Sequence, residues 1–576
     1  MADLQNGTQT TGNKKERKEL SMEKRMLIAF LLMGAVLFLT PYLYKSNPTQ
    51  QKPAPKPAAA QKTAPQKPAA APAAVETPVP AEAPAAGKVA AQSEGTYVIE
   101  TDLARMVFSN RGAVVRSWIL KKYRDGAGKP LELVHSAGAA RAGYPLSIIF
   151  KTKVSADANH SLYAASVAPD GLGVNFEFSD GNLRIRKSFH FRKDSYLAAI
   201  SSEVTQDGKP VPHYLSWRGG FGDTSVPNHA STQHTVYFDQ SANKLIVNEE
   251  KVAKEGPVLA AGSFSFAGVE DQYFAAVVLP DSGAVTEIYT YRDMVAGVEK
   301  DKEVAYAGMS VGGAGLNQVA AFIGPKNLDI LRKVNPKLEQ LVDFGWFTIL
   351  AKPLFLAVNW VNDHWARNYG WAIVIVTIII NFMLLPLKFS SLKSMKRMQS
   401  LQPQIAAINE KYKGISIRDP RKADQNQEVM ALYKKNGVNP MGGCVPMLLQ
   451  IPFFFAFYKV LTVAIEMRGA SWLWVTDLSQ PETLPIRILP IAMIVSQFIM
   501  QKMTPTTTAD PSQQKVMLLM PLILGFMFYG VSSGLVLYWL TGNLVGIAQQ
   551  LFFNKTAISP APAVAPAKQA KKGAKK

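Results

Sequence analysis

The chain has 576 residues and a formal net charge of +20, so it is too long for one hydrophobic core and strongly basic. Its one cysteine, Cys444, excludes an intrachain disulfide, and no Cys/His spacing typical of a zinc site occurs. The basic residues gather at residues 14–25, 388–435 and 568–576. Such clusters favour either nucleic-acid binding or the cytoplasmic loops of a membrane protein.

The N-terminal region is a basic tail, residues 1–25, followed by an apolar run at residues 26–44. A cleaved signal peptide is the alternative, but its apolar region would be shorter and a small-residue cleavage site would follow. We therefore interpret residues 26–44 as an uncleaved membrane anchor whose N-terminal side lies in the cytoplasm. Residues 45–94 are rich in Pro and Ala and predict an extended linker.

Residues 95–334 predict an all-β domain. β-branched and aromatic residues alternate in part, and clusters of Gly, Asn and Asp separate them. A sandwich of many antiparallel strands is the expected architecture. The domain holds six of the seven histidines, none of them in a metal or nucleophile motif, so we expect structural roles for them.

Five apolar runs follow an amphipathic segment. The segment, residues 335–368, contains Trp, Lys and Pro residues that favour a helix lying at a membrane interface. Each run is about long enough to cross ~30 Å of hydrocarbon as a helix. The runs are residues 369–387, 442–463, 485–501, 516–531 and 534–553. With a cytoplasmic N-terminus, every basic cluster falls on the cytoplasmic side, including the tail at residues 554–576. The pattern predicts six transmembrane helices, both termini in the cytoplasm and the β domain outside.

Residues 388–440 lie between the first two of these runs and predict a cytoplasmic helical hairpin. Apolar residues recur there at steps of three and four, first from Leu392 to Tyr412 and again from Val429 to Tyr433. We expect the two stripes to pack on each other. The lysines on the outer faces could also meet anionic lipid or ribosomal RNA.

Polar residues interrupt the first of the five runs. Thr377 and Asn381 are four apart and share a helix face, and Lys388 falls within about 20° of that face. Lys388 leans toward Asn381, because side chains tilt toward the helix N-terminus. An uncompensated amide in lipid costs ~2–7 kcal/mol, so this polar stripe needs partners or water. The alternative is ordinary interhelical hydrogen bonding. Further candidates to line the stripe are Gln450, Ser496, Gln497, Tyr538 and Trp539.

Three motifs carry a resemblance to a known family. NPMGGCVPMLLQIPFFFAFYKVL, QKMTPTTTADPSQQKVMLLMP and SSGLVLYWLTGNLVGIAQQ resemble the YidC/Oxa/Alb membrane protein insertases. The anchor, the linker and the large β domain resemble the form found in Gram-negative bacteria. The resemblance is specific from about Trp346 to Phe553 and weak in the β domain.

The resemblance implies a function. It implies an inner-membrane insertase and chaperone, not an enzyme, that uses no cofactor and acts on nascent and small inner-membrane proteins, alone or with the Sec translocon. It also implies a hydrophilic groove open to cytoplasm and lipid, apolar "greasy slide" helices, and a periplasmic supersandwich domain akin to sugar mutarotases. Ribosomes are a candidate partner of the basic tail and hairpin. The residues expected on the greasy slide are Met447, Phe454, Met517, Met520 and Phe526.

The sequence departs from the family at one groove position. The family usually places an arginine, sometimes a lysine, five residues before a Pro-Leu pair, and Pro386-Leu387 makes that position Asn381. A charge at the centre of a span costs ~2.5–3.5 kcal/mol on insertion scales, so an amide is cheaper to hold. We expect Asn381 to keep the groove hydrated and Lys388 to supply positive potential from below.

Two other functions compete on the residues alone. A transporter would also use polar residues at mid-membrane, but it predicts two related halves, which the sequence does not show. An anchored envelope enzyme or sugar-binding protein would need paired carboxylates or a histidine constellation in residues 95–330, and none stands out.

Overall fold

The computed structural model describes residues 87–226, 229–280, 285–296, 303–415, 419, 421–438, 445–504 and 511–556. The anchor expected at residues 26–44, nearly all of the linker, Cys444 and the C-terminal lysines lie outside the described residues. Strands dominate the chain up to Pro325, and helices follow from Leu328 onward.

The strand-rich region holds two antiparallel sheets. A four-stranded sheet has the order β1-β2-β3-β4, and a larger sheet runs β5-β11-β17-β16-β14-β15-β18-β9-β8-β7-β6, with β10, β12 and β13 paired at its sides. The strands are β1 Thr96–Glu100, β2 Ala104–Ser109, β3 Val114–Arg124, β4 Pro130–Glu132, β5 Ser147–Phe150, β6 Ala164–Val167, β7 Gly173–Ser179, β8 Leu183–Phe191, β9 Leu197–Gln206, β10 Lys209–Pro210, β11 His213–Trp217, β12 His234–Asp239, β13 Lys244–Asn248, β14 Val258–Glu270, β15 Phe274–Pro280, β16 Val285–Ala296, β17 Glu303–Ala314 and β18 Leu316–Pro325.

The long strand β14 joins the two halves of the larger sheet. Its first part, Val258–Ser263, pairs with β16, and its last part, Ala267–Glu270, pairs with β15. The small sheet packs on the large one through aromatic rings, and Phe108 of β2 lies 4.9 Å from Phe189 of β8 between ring centroids. Burial alternates along β8 and β9, as it does in strands with one face in a core. The expected antiparallel β-sandwich domain is therefore confirmed.

The helices are mostly short. They are α1 Ser136–Ala142, α2 Leu328–Val334, α3 Thr348–Val361, α4 Tyr369–Met383, α5 Leu385–Ser400, α6 Gln402–Lys411, α7 Arg421–Lys435, α8 Val445–Val463, α9 Ile488–Met503, α10 Pro511–Phe528 and α11 Ser533–Thr556. α11 packs against α4, α8 and α9, while α10 packs on α9, and α3 lies against α4 and α8. The bundle is therefore organised around α11.

Few of these helices meet the length expected of a membrane span. Among the described residues, Ser533–Lys555 alone is long and apolar enough to cross by itself. The helical stretch Gly345–Ala366 and α4 would pass together, but they meet at 114°. Three other apolar helices are shorter: Gln450–Val463, Ile488–Met503 and Leu519–Phe528. The six-span count and the topology therefore stay predictions.

The first apolar run does not form one helix to Leu387. α4 ends at Met383 and α5 begins at Leu385. Pro386 lies in the first turn of α5, where its missing N–H costs little, but it cannot donate to a carbonyl of the preceding turn. The proline therefore separates the two helices just below Asn381.

The segment expected at the membrane interface contains α3 and its flanking turns. It presents Trp346, Ile349 and Trp365 to the surface, with Trp346 100% exposed. The opposite face of α3 is buried, with Ala351, Phe355 and Val358 in contact with the bundle core. One face is thus apolar and exposed, which suits a helix lying on a bilayer surface.

The hairpin expected between the first two runs has helical arms. α5 and α6 form the first arm and α7 the second, and they share a small core separate from the main one. Its buried members are Met398, Leu401, Ile405, Tyr433 and Val438. Most of both predicted stripes packs inward, while Met430 points outward and is 54% exposed.

Candidate functional site: a polar stripe between α4, α5 and α11

The stripe begins with two buried polar residues on α4. Thr377 donates through Oγ1 to the carbonyl of Ile373 at 2.6 Å, and Asn381 donates through Nδ2 to the carbonyl of Thr377 at 2.8 Å. Both side chains are buried. These bonds within the helix use the Thr377 hydroxyl and one of the two N–H groups of the Asn381 side chain, and they leave the Asn381 Oδ1 oxygen to be satisfied from elsewhere.

Lys388 satisfies that oxygen. Its Nζ donates to Asn381 Oδ1 at 2.6 Å from a half-buried position on α5. The contact crosses the helix break at Leu384, where α5 continues closely enough in line with α4 for the lysine to reach back. Within the described part of the chain, no carboxylate pairs with this ammonium group. The site therefore holds an amide and a positive charge in direct contact.

Gln549 of α11 completes the stripe, and sequence analysis did not single it out. Its Nε2 donates to the backbone carbonyl of Asn381 at 3.2 Å. This contact fixes the orientation of the amide, because the flipped form would place two oxygens together. Its Oε1 atom is buried and has no hydrogen-bond partner among the described residues. The amide thus brings an unpaired acceptor to the helix break.

A second polar cluster joins α9 to α11. Ser496 is buried and accepts from Asn543 Nδ2 at 3.1 Å, while Gln497 Oε1 accepts from Trp539 Nε1 at 3.2 Å. Asn543 was also missed in the sequence. A usable signal existed, because Asn543 and Gln550 are seven residues apart on one face of an apolar helix.

The two aromatic candidates pack on α8. Tyr538 is buried and stacks on Phe457, with ring centroids 4.3 Å apart. Trp539 lies edge-on to Phe454 at 5.0 Å. They line the core of the bundle beside the polar clusters and anchor α11 to α8.

The residues expected on the greasy slide are placed in different surroundings. Phe454 is buried against Phe528 and Trp539, whereas Phe526 of α10 is 88% exposed and Met520 is half-buried. The side chains of Met447 and Met517 lie outside the described residues. Gln450 is exposed on α8.

Exposed apolar side chains lie on both α4 and α10. On α4 they occupy the side opposite the buried polar residues, so this helix has one polar buried face and one apolar exposed face. The exposed residues are Trp371, Ile379, Phe382 and Met383 on α4, and Leu519, Leu522, Ile523 and Phe526 on α10.

The part of the chain that the structure describes contains no group of three or more His, Cys, Asp or Glu side chains placed to hold a metal ion. The chemistry available at the stripe is hydrogen bonding and a positive charge. Such groups can bind and orient a polar segment.

Known proteins resemble the chain over nearly its whole length. Residues 360–560 match the family profile described as 60Kd inner membrane protein, and residues 96–357 match YidC periplasmic domain. A membrane protein insertase YidC of Citrifermentans bemidjiense is 35% identical over 547 residues, which cover 93% of this chain and 99% of that protein. The protein of the same name from Syntrophus aciditrophicus is 36% identical over 567 residues, with 93% and 100% covered. A crystal structure of active YidC insertase with the first transmembrane domain resolved matches at 19% identity, covering 81% of this chain and 94% of that one, with a TM-score of 0.35.

Proposed function

The chain belongs to the YidC family of membrane protein insertases, and from that premise we propose that it inserts nascent and small proteins into the bacterial inner membrane. The polar stripe of Thr377, Asn381 and Lys388 receives the polar segment that must cross. The contact between Lys388 Nζ and Asn381 Oδ1 carries the proposal, because it places a cation beside the amide.

The proposed topology has six transmembrane helices, both termini in the cytoplasm and the β domain in the periplasm. The distribution of basic residues supports it, since Lys and Arg are enriched in cytoplasmic loops. The helix α11, with 23 residues of suitable composition, provides one crossing. The amphipathic α3 region lies at the periplasmic interface with Trp346 and Ile349 toward lipid. The groove is open to the cytoplasm at the Lys388 end.

In this mechanism the two faces of α4 have separate roles. A polar tail of the substrate exchanges water for hydrogen bonds with Asn381, Lys388 and the buried amide of Gln549. Meanwhile, its apolar segment moves along the exposed side chains of α4 and α10, of which Phe526 is the most exposed. Burial of that segment in lipid drives the step, at about 25 cal/mol per Å² of apolar surface. No nucleotide and no cofactor take part.

The partners follow from the charge of each surface. The basic hairpin of α5, α6 and α7 and the lysine tail meet anionic lipid, at about 1 kcal/mol for each Lys or Arg near the surface. The Sec translocon and the ribosome are further proposed partners on the lipid side and the cytoplasmic side.

The central test replaces one lysine. Lys388→Ala should lower the insertion of a single-span substrate with an acidic tail severalfold in proteoliposomes without ATP, and leave a neutral-tailed substrate much less affected. Lys393→Ala is the matched control, because Lys393 lies exposed on the same helix and carries the same charge. Loss of insertion with Asn381→Ala but not with Lys388→Ala would refute the role of the lysine. Solute flux without any insertion would refute the function.

A further inference from the structure

The α8–α9 loop, residues 464–487, covers the end of the bundle opposite Lys388. Its carbonyls cap the first turn of α11, since Ser533 N donates to Gln480 O at 2.8 Å and Gly534 N donates to Leu478 O at 2.9 Å. Helix N-termini have N–H groups without partners in the helix, and this loop supplies those partners. The loop therefore lies directly on the start of α11.

The same loop closes over the start of α4. Asn368 donates through Nδ2 to Ser471 O at 2.8 Å, and Trp472 packs so tightly on Gly370 that a Cβ there would lie 2.2 Å from its ring. Trp472 is buried and meets Trp371, with ring centroids 5.5 Å apart. Ile373, one turn before Thr377, is fully buried beneath this layer.

One residue of the loop, Arg468, is held by the β domain. Its guanidinium donates to Arg124 O at 2.7 Å and forms an ion pair with Asp223, and the side chains of the pair are 9% and 3% exposed. It also lies over the ring of Phe274, 5.5 Å from the centroid. A charge this buried persists only with a partner, so the pair fixes the position of the loop on the domain.

Two further contacts join the same surfaces. Gln272 of the β domain donates through Nε2 to Thr462 O at 2.7 Å, near the end of α8. Asn327 donates through Nδ2 to Glu466 Oε1 at 2.7 Å. The α8–α9 loop thus contacts the bundle on one side and the β domain on the other.

We propose that the β domain holds the α8–α9 loop as a seal over the periplasmic end of the groove, with Arg468 as the positioning residue. This inference rests on the proposed function, because it requires a groove below the loop. Trp472 provides the barrier and the Arg468–Asp223 pair keeps it in place. The β domain then acts by limiting leakage, and insertion itself does not depend on the pair.

The experiment measures access to Ile373 from the periplasmic side. Ile373→Cys in a Cys444→Ser background is labelled in spheroplasts with a membrane-impermeant thiol reagent. We expect slow labelling in this parent, a rate at least tenfold higher with Arg468→Ala, and a similar rise with Trp472→Ala. Arg218→Ala is the control, because it removes another Arg–Asp pair, Arg218–Asp293, that lies within the β domain and has a buried aspartate.

Exchange of the two charges separates a seal from a folding defect. Arg468→Asp combined with Asp223→Arg should return the labelling rate toward that of the parent, and the β domain should keep its resistance to protease throughout. Unchanged labelling with Arg468→Ala overturns the inference, whether or not Trp472→Ala opens the site. Insertion is measured in parallel, so failure of the proposed function shows as an inactive parent, and failure of the seal shows only in the labelling.

Discussion

Asn381 forms hydrogen bonds with three different groups through its side chain and its backbone carbonyl. Its nitrogen is used within α4, its oxygen binds Lys388, and its backbone carbonyl binds Gln549. A substrate can therefore bind Lys388 or the second N–H of the Asn381 side chain, because the bond within α4 uses only one of the two donors on that nitrogen. The lysine is the mobile member, since it sits on a flexible four-carbon stem at the lower end of the stripe.

Gln549→Leu should destabilise the protein. The variant leaves the Asn381 carbonyl at the helix break without a donor but also removes the unpaired Gln549 Oε1, so the loss should be that of one hydrogen bond, about 0.5–1.5 kcal/mol. Unfolding of the purified protein in detergent, followed by helical circular dichroism, measures the loss. Gln550→Leu is the control, because the one bond of Gln550 within the described ranges goes to Asn554, which is exposed and can bond water instead. Equal losses in the two variants would contradict the argument.

Some site residues could be predicted from the sequence because they are close along the chain. Lys388 is seven residues from Asn381, so the helical repeat alone places it on that face. Gln549 is 168 residues from Asn381, and its contact depends on how α11 packs against α4. Phe454 was expected on the greasy slide, but its burial depends on the rotation of α8, which an all-round apolar helix does not reveal.

At the scale of elements, β14 makes an unusually close approach to its neighbour. A Cβ at Gly268 would lie 2.1 Å from Ala276 O and 2.5 Å from Val277 on β15, so no side chain fits without moving the strand. Gly268 lies within the stretch that pairs with β15, Ala267–Glu270, and Gln272, two residues beyond it, donates to Thr462 of α8.

Gly268→Ala should therefore destabilise the β domain by about 1–3 kcal/mol, the usual cost of overpacking. Gly262→Ala on the same strand is the matched control, because a Cβ there meets only the Phe264 ring at 3.5 Å. Chemical denaturation of the full-length protein in detergent, read by tryptophan fluorescence, compares the two. If the Gly268→Ala protein were as stable as the Gly262→Ala protein, β14 and β15 would be able to move apart for a side chain without loss of stability, and the argument would be wrong.

The elements differ in how far the sequence could specify them. Alternation along β8 and β9 identifies strands, but their order in the sheet depends on pairings between distant segments such as β9 with β18. The apolar run ending at Leu387 predicted one helix. Pro386 divides it, because proline fits the apolar pattern but has no backbone N–H to donate to the preceding turn. The partition into a β domain and a helical region followed directly from composition.

At the scale of the whole molecule, the β domain and the bundle meet around Glu466. Burial raises the pKa of Glu466 to about 7, and the nearby carboxylates of Asp329 and Asp363 act in the same direction. The hydrogen bond that Asn327 donates from the β-domain side lowers this pKa, but burial is the larger effect. The protonated form is therefore favoured where the two regions join.

The contribution of Glu466 to the stability of the protein should fall as the pH rises from 4.5 to 7. Across this window the folded state keeps a proton on Glu466 that the unfolded state releases, and each pKa unit corresponds to about 1.4 kcal/mol. Thermal unfolding in detergent at several pH values measures the slope of stability against pH, and Glu466→Gln should remove the part of that slope that Glu466 contributes. Glu410→Gln, at an exposed position, should leave the slope intact. An unchanged slope in Glu466→Gln would assign the pH dependence to other groups.

Strand β14 affects how the β domain unfolds. Because its first part belongs to one half of the sheet and its last part to the other, neither half can lose this strand and remain complete. Partial unfolding that exposes only one half is thereby made costly. The domain should therefore populate few partly unfolded states that proteases can cut. Each molecule should be either degraded throughout this domain or left intact.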